Sequence, residues 1–194
     1  VEYDYTSGSI RKGIILLAIP MMLEMAMESI FALVDTFFVG QIGNGALTTV
    51  GLTEVMMTLV YSIAIGVSTA PMAMVARFIG EKSPEKAGLA AGQAIILGVI
   101  VSLLIAVPGF LYAEDLLRLM GATDAVVAEG VGYTRIMFAT NVVIMLLFVI
   151  NGVFRGAGEA TKAMRVLWLA NGINIVLDPI FIFGLGPIPA FGVE

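Results

Sequence analysis

IILLAIPMMLEMAMESIFALVDTFFV, Ile14 to Val39, is apolar and long enough to cross a bilayer, yet it carries Glu24, Glu28 and Asp35, where a simple anchor would carry no acid. At about 100° per residue, Glu28 falls about 40° and Asp35 about 20° from Glu24, so the three share one stripe of a helix. Each central carboxylate costs roughly 2.5 to 3.5 kcal/mol on insertion scales, so such a stripe must face protein or water and marks a site by default.

The rest of the composition agrees with a membrane protein. Of 194 residues 59% are hydrophobic and 13% charged, and the mean hydropathy is +1.02, beyond what a soluble domain of this length carries. Cys and His are absent, which excludes disulfides, thiol nucleophiles, histidine bases and the common zinc sites. What chemistry there is must run on carboxylates, amides, hydroxyls and backbone, without an organic cofactor. The net charge of −5 offers no basic surface to nucleic acid. The first apolar run is too long and too acidic for a cleaved signal peptide, so it is expected to stay as a span. The chain opens on Val1 and ends at Glu194 in a turn-rich stretch, which reads as part of a longer protein.

Five spans are expected, at about 14–39, 53–78, 88–111, 131–154 and 163–183, making an all-α polytopic bundle. Ser9 can cap the first helix near Ile10, Gly40 and Gly43 can end it, and Pro20 can kink it. The second span carries Pro71 and ends in a charged turn, 77–86. The third is nearly free of charge. A short amphipathic piece follows between Ala113 and Met120, and Thr123-Asp124 can cap one long fourth helix that runs to about Phe154. The loop 155–162 leads to the fifth span, and 184–189 reads as a turn. Arg11, Lys12, Arg77, Lys82, Lys86, Arg155, Lys162 and Arg165 gather at one end of the spans, against Arg118 and Arg135 at the other, which puts the N-terminus in the cytoplasm.

The fifth span holds a second polar stripe, Asn171, Asn174 and Asp178. Pro179 cannot donate to Ile175, so a carbonyl is freed one turn before the carboxylate. The first and fifth spans both run outward, and Asp35 and Asp178 each lie roughly 8 to 9 Å from the outer end at about 1.5 Å per residue. Two carboxylates at one level in a low dielectric cannot both stay charged cheaply: either one binds a proton or the pair holds a cation. Asn174, Asp178 and the freed carbonyl suit Na⁺, the carboxylate pair alone suits H⁺, and both remain open. Tyr133 lies at a similar level and could donate a hydrogen bond. Asn141 and Asn171 read as interhelical hydrogen bonds, and Asn151 sits nearer the inner end, away from Asp178 on straight-helix geometry. Glu24 and Glu28 read as a cavity wall for cations, Glu54 as interfacial, and the methionines, Met56 and Met57 among them, as packing more than a pliable ligand wall.

The runs Ile19-Pro20-Met21-Met22 and Val34-Asp35-Thr36-Phe37-Phe38-Val39-Gly40 resemble the first helix of the MATE family, multidrug and toxic compound extrusion transporters. Arg155-Gly156-Ala157-Gly158-Glu159-Ala160 and Asn174-Ile175-Val176-Leu177-Asp178-Pro179-Ile180-Phe181 resemble that family's fourth-to-fifth connection and fifth helix. The resemblance implies two six-helix lobes with alternating access between them, of which 1–194 would be part of the N-terminal lobe, lacking its sixth helix and the C-terminal lobe. It implies that Asp35, Asn174 and Asp178 couple a cation, H⁺ or Na⁺, with Tyr133 and Asn151 as further members of the network, and that any bound Na⁺ sits at Asp35, Asn174 and Asp178. It further implies export of small organic, often cationic, amphiphiles across the inner membrane from a cavity beside the first helix, which Glu24, Glu28 and Asp35 are read as lining. Glu24 and Glu28 add charge beyond the family motif. Two other readings are a flippase for lipid-linked precursors, which would want a cationic cavity, and an intramembrane aspartyl protease, whose G-x-G-D flank neither aspartate has.

Overall fold

Seven helices account for nearly all of the computed structural model, which describes Tyr5 and residues 8–184. They are α1 (Ile10–Gly40), α2 (Asn44–Gly80), α3 (Pro84–Leu111), α4 (Ala113–Leu119), α5 (Asp124–Ala139), α6 (Asn141–Gly156) and α7 (Ala160–Phe183). With α5 and α6 forming one crossing, five stretches are long and apolar enough to span a membrane. The turn read at 184–189 lies, beyond Gly184, outside the described residues.

Several helix ends differ from the hydropathy reading. α2 begins at Asn44 rather than near Thr53, because its polar first turns are still helical: the Thr48 hydroxyl donates to the Asn44 carbonyl at 2.7 Å, and Thr49 is buried where Gly130 of α5 leaves room for it. α3 starts on Pro84, whose fixed φ suits a first helical position. Ser9 occupies the cap position of α1 without a side-chain cap bond, whereas Thr123 does cap α5, accepting from the Val126 amide at 3.5 Å. α4 and α6 each end on a left-handed glycine, Gly121 (φ +88°) and Gly158 (φ +82°), with the next amide reaching back to the helix.

The fourth crossing is not one helix. At Thr140 the hydroxyl donates to the Ile136 carbonyl (2.7 Å) and the Asn141 side-chain amide donates to the Phe138 carbonyl (2.8 Å). The Ile136 carbonyl also keeps the Thr140 amide at 2.9 Å, whereas the Asn141 side chain occupies the Phe138 carbonyl and the Val143 amide turns back to the Thr140 carbonyl at 2.9 Å, and the crossing breaks between Ala139 and Asn141. Asn141 is fully buried and spends its amide within its own crossing, not between helices as expected.

α2, α3, α5 and α6 form the packed body, with α4 lying against α5. Met56, Met57, Val60, Leu117, Val127 and Phe138 make its core, so these two methionines are packing. Glycines let helices close: a Cβ on Gly152 would sit 3.0 Å from the Ser68 carbonyl oxygen, and one on Gly156 would collide with the Met72 carbonyl. Thr53 and Thr134 share a buried hydrogen bond of 2.9 Å between α2 and α5. α1 and α7 stand apart as a pair that packs chiefly on itself. Only 11% and 6% of their most apolar stretches are buried, against 28–33% in the other crossings, so their free faces are where further protein or lipid must lie.

Candidate functional site

Two contacts set the α1–α7 pair. The Trp168 indole donates to the Leu23 carbonyl at 3.2 Å, and the Phe38 and Phe183 rings meet edge-on with centroids 6.2 Å apart. The same number of residues separates the two contacts on each helix, so α1 and α7 run parallel in constant register. Asp35 and Asp178 therefore stand within about half a turn of one level. Both helices continue unbroken through Pro20 and Pro179. Each proline leaves one carbonyl, of Leu16 and of Ile175, without its usual amide donor.

Asp35 and Asp178 are each partly buried and lie within electrostatic reach of one another. One Asp178 carboxylate oxygen is buried without a hydrogen-bond partner, an acceptor facing nothing that satisfies it. Tyr133, from α5, lies within reach of Asp35, as the common depth predicts. A further acid joins them: Glu54 of α2 accepts from the Tyr61 hydroxyl at 3.4 Å and lies within reach of both Asp35 and Tyr133. Its position at the edge of the apolar run reads as interfacial, but Glu54 and Tyr61 are seven residues apart and so share a helix face, which was the available signal. The chamber thus draws carboxylates from α1, α2 and α7 and phenols from α2 and α5.

The amides are distributed otherwise. Asn174 is exposed on α7 and Asn151 is buried in α6, and among the described residues no hydrogen bond joins either to Asp178. Asn171 keeps a buried amide nitrogen without a partner. No group of three or more acidic side chains is close enough to hold a metal ion by itself among the described residues.

The inner part of the acidic stripe divides. Glu24 is 3% exposed and forms an ion pair with Arg155 at the end of α6, its other carboxylate oxygen being buried without a hydrogen-bond partner. Glu28, one turn further on, is exposed and within reach of both partners. Arg155 belongs to α6 rather than to the loop in which sequence places it. A guanidinium delivered to a buried acid satisfies a charge that would otherwise be prohibitive in a dry site.

Known proteins share this architecture. The chain is 34% identical to the protein in a solved structure described as "Crystal structure of MATE in complex with MaD5", with a TM-score of 0.89 over 99% of this chain and 43% of that one. It is also 34% identical to a MOP superfamily transporter from Pyrococcus furiosus, with a TM-score of 0.87 over 97% of this chain and 41% of that one. Among curated proteins it is 28% identical, over its whole length and 43% of the other, to an FAD transporter of Shewanella oneidensis. It is 22% identical, over 94% of its length and 41% of the other, to the multidrug export protein MepA of Staphylococcus aureus. The chain spans under half the length of these relatives. The MatE family model matches residues 20–180, most of the chain and all of the acidic chamber, and the chain belongs to the MatE family.

Proposed function

We propose that this chain is the first five crossings of the N-terminal lobe of a cation-coupled exporter of small organic cations, working by alternating access with a sixth helix and a second lobe. MATE proteins are transporters, not enzymes. The observation that carries the coupling is the pair Asp35 and Asp178, held at one depth on two parallel helices that the rest of the bundle scarcely covers. Two like charges facing each other across α1 and α7 push the helices apart, and a proton or Na⁺ between them removes that repulsion. Ion entry from outside would draw the outer part of α1 onto α7, pivoting at Pro20, and narrow the space in which a substrate cation had lain against Glu28 and Asp35. Ion and substrate compete for the same negative charge, which couples import of one to export of the other.

Asn174, Asn151 and Tyr133 are the proposed subsidiary members, Asn174 and the Ile175 carbonyl being the added ligands that Na⁺ would need. Carboxylates from three helices favour a cationic substrate over a lipid pyrophosphate. The basic residues put the N-terminus and the entry beside Glu28 on the cytoplasmic side of the inner membrane. In the complete protein, Asp35→Asn and Asp178→Asn should each abolish drug resistance at equal expression, and resistance retained by both would sink the coupling. Proteoliposomes given an imposed Na⁺ gradient or an imposed pH gradient decide the ion.

A further inference from the structure

Arg135 lies two residues beyond Tyr133, about 200° round α5 and so on the opposite side from the acid chamber. There α3 and α5 leave an apolar groove of about 280 Å³, lined by Ala106, Val107, Phe110, Leu111 and Ala139. Ala139 is one turn from Arg135 on the same stripe, and the Arg135 guanidinium carbon is 5.9 Å from the centroid of the Phe110 ring, a cation set over an aromatic face. Its Nε is buried without a hydrogen-bond partner, and among the described residues no carboxylate pairs with it. The other basic residue at this end, Arg118, is held by Glu114 and Asp124 at 3.2 and 2.5 Å, and these acids keep its guanidinium above the usual range.

Depth gives this cation a meaning. Gly109 abuts the Phe138 ring, so the end of α3 is level with Arg135 and Ala139. Val107, Phe110 and Leu111 are exposed where the apolar run of α3 finishes, and exposed Tyr112 follows, a residue type of the bilayer interface. Arg135 leaves α5 just inside that end, and because a helical side chain tilts toward its helix's N-terminus, here the outer end, its guanidinium reaches up toward headgroup level beside the apolar groove.

We infer that this groove binds an anionic phospholipid of the leaflet opposite the N-terminus, its phosphate on Arg135 and the first part of an acyl chain along α3 and α5. The guanidinium supplies the charge-assisted hydrogen bonds a phosphate takes, Phe110 fixes its plane, and Ala139 leaves the space the chain fills. The inference rests on the membrane-spanning fold and not on the proposed transport.

The test is the complete protein, delipidated in detergent and titrated with phosphatidylglycerol, bound lipids being counted by native mass spectrometry. Diacylglycerol with the same chains and inorganic phosphate are parallel probes. Wild type should keep one tightly held phosphatidylglycerol and should retain neither other probe. Arg135→Gln should weaken that lipid at least about tenfold, and Arg135→Lys should recover much of the loss. Ala139→Trp, which keeps the charge and fills the groove, should also weaken it; melting temperatures in lipid-free detergent identify variants that remain folded. Equal phosphatidylglycerol affinity in wild type and folded Arg135→Gln or Ala139→Trp overturns the site. Inorganic phosphate bound as tightly as the lipid overturns the lipid as its ligand.

Discussion

Glu24, 3% exposed, and Arg155, 27% exposed, hold an ion pair between α1 and α6; removing the arginine leaves a carboxylate in a site that water scarcely reaches, whereas removing the acid leaves a guanidinium that water and Glu28 still reach. Arg155→Gln is expected to destabilise the protein by about 3 to 5 kcal/mol, Glu24→Gln by less, and adding Glu24→Gln to Arg155→Gln should recover part of the loss. Melting temperatures of the two single variants and the double variant, read as a double-mutant cycle, check this. The acid was legible in the sequence and its partner was not. Glu24 stands out in an apolar run, but Arg155 follows the fourth apolar run beside glycines and reads as solvated. Only helix packing brings it back across 131 residues. The depth of Asp35 and Asp178 was legible because it needs only the rise of a helix and two spans of one direction. Glu54 was missed because nearness to a span end was weighed above the face it shares with Tyr61.

At the level of elements, the α2–α6 contact is set by backbone meeting backbone, since Gly156 lies on the Met72 carbonyl. A methyl group there has no flexible side chain to displace. Gly156→Ala should cost about 1 to 3 kcal/mol as overpacking, seen as a lower melting temperature, while Gly172→Ala on α7, where a Cβ meets nothing within 4 Å, should leave stability unchanged or slightly raised. Hydropathy located all five crossings because each is a long apolar run. It missed the early start of α2, whose Gly- and Thr-rich first turns are helical through packing on α5 rather than through apolar character. It also missed the break at Thr140, which accompanies the Asn141 side-chain bond to the Phe138 carbonyl and leaves no trace in periodicity.

At the scale of the whole molecule, a four-helix body carries a lightly attached α1–α7 pair, and orientation decides which mouth of the chamber faces the cell. The chain has no cysteine, so a single introduced thiol reports its own side within this stretch. A membrane-impermeant maleimide should label Leu119→Cys, at the exposed tip of α4, in intact cells, and Glu85→Cys, at the start of α3, only after the cells are opened. The reverse pattern would turn the topology over. The ion pair between α1 and α6 also has a consequence for synthesis. Glu24 is synthesised 131 residues before Arg155. At about 5 to 20 residues per second the interval is about 7 to 26 s, during which α1 carries three unmatched acids. Helices that lack Arg155 and α7 are the ones a membrane quality-control protease would recognise, so a ribosome that pauses between α5 and α7 should lower the yield of the protein more than one that pauses after α7.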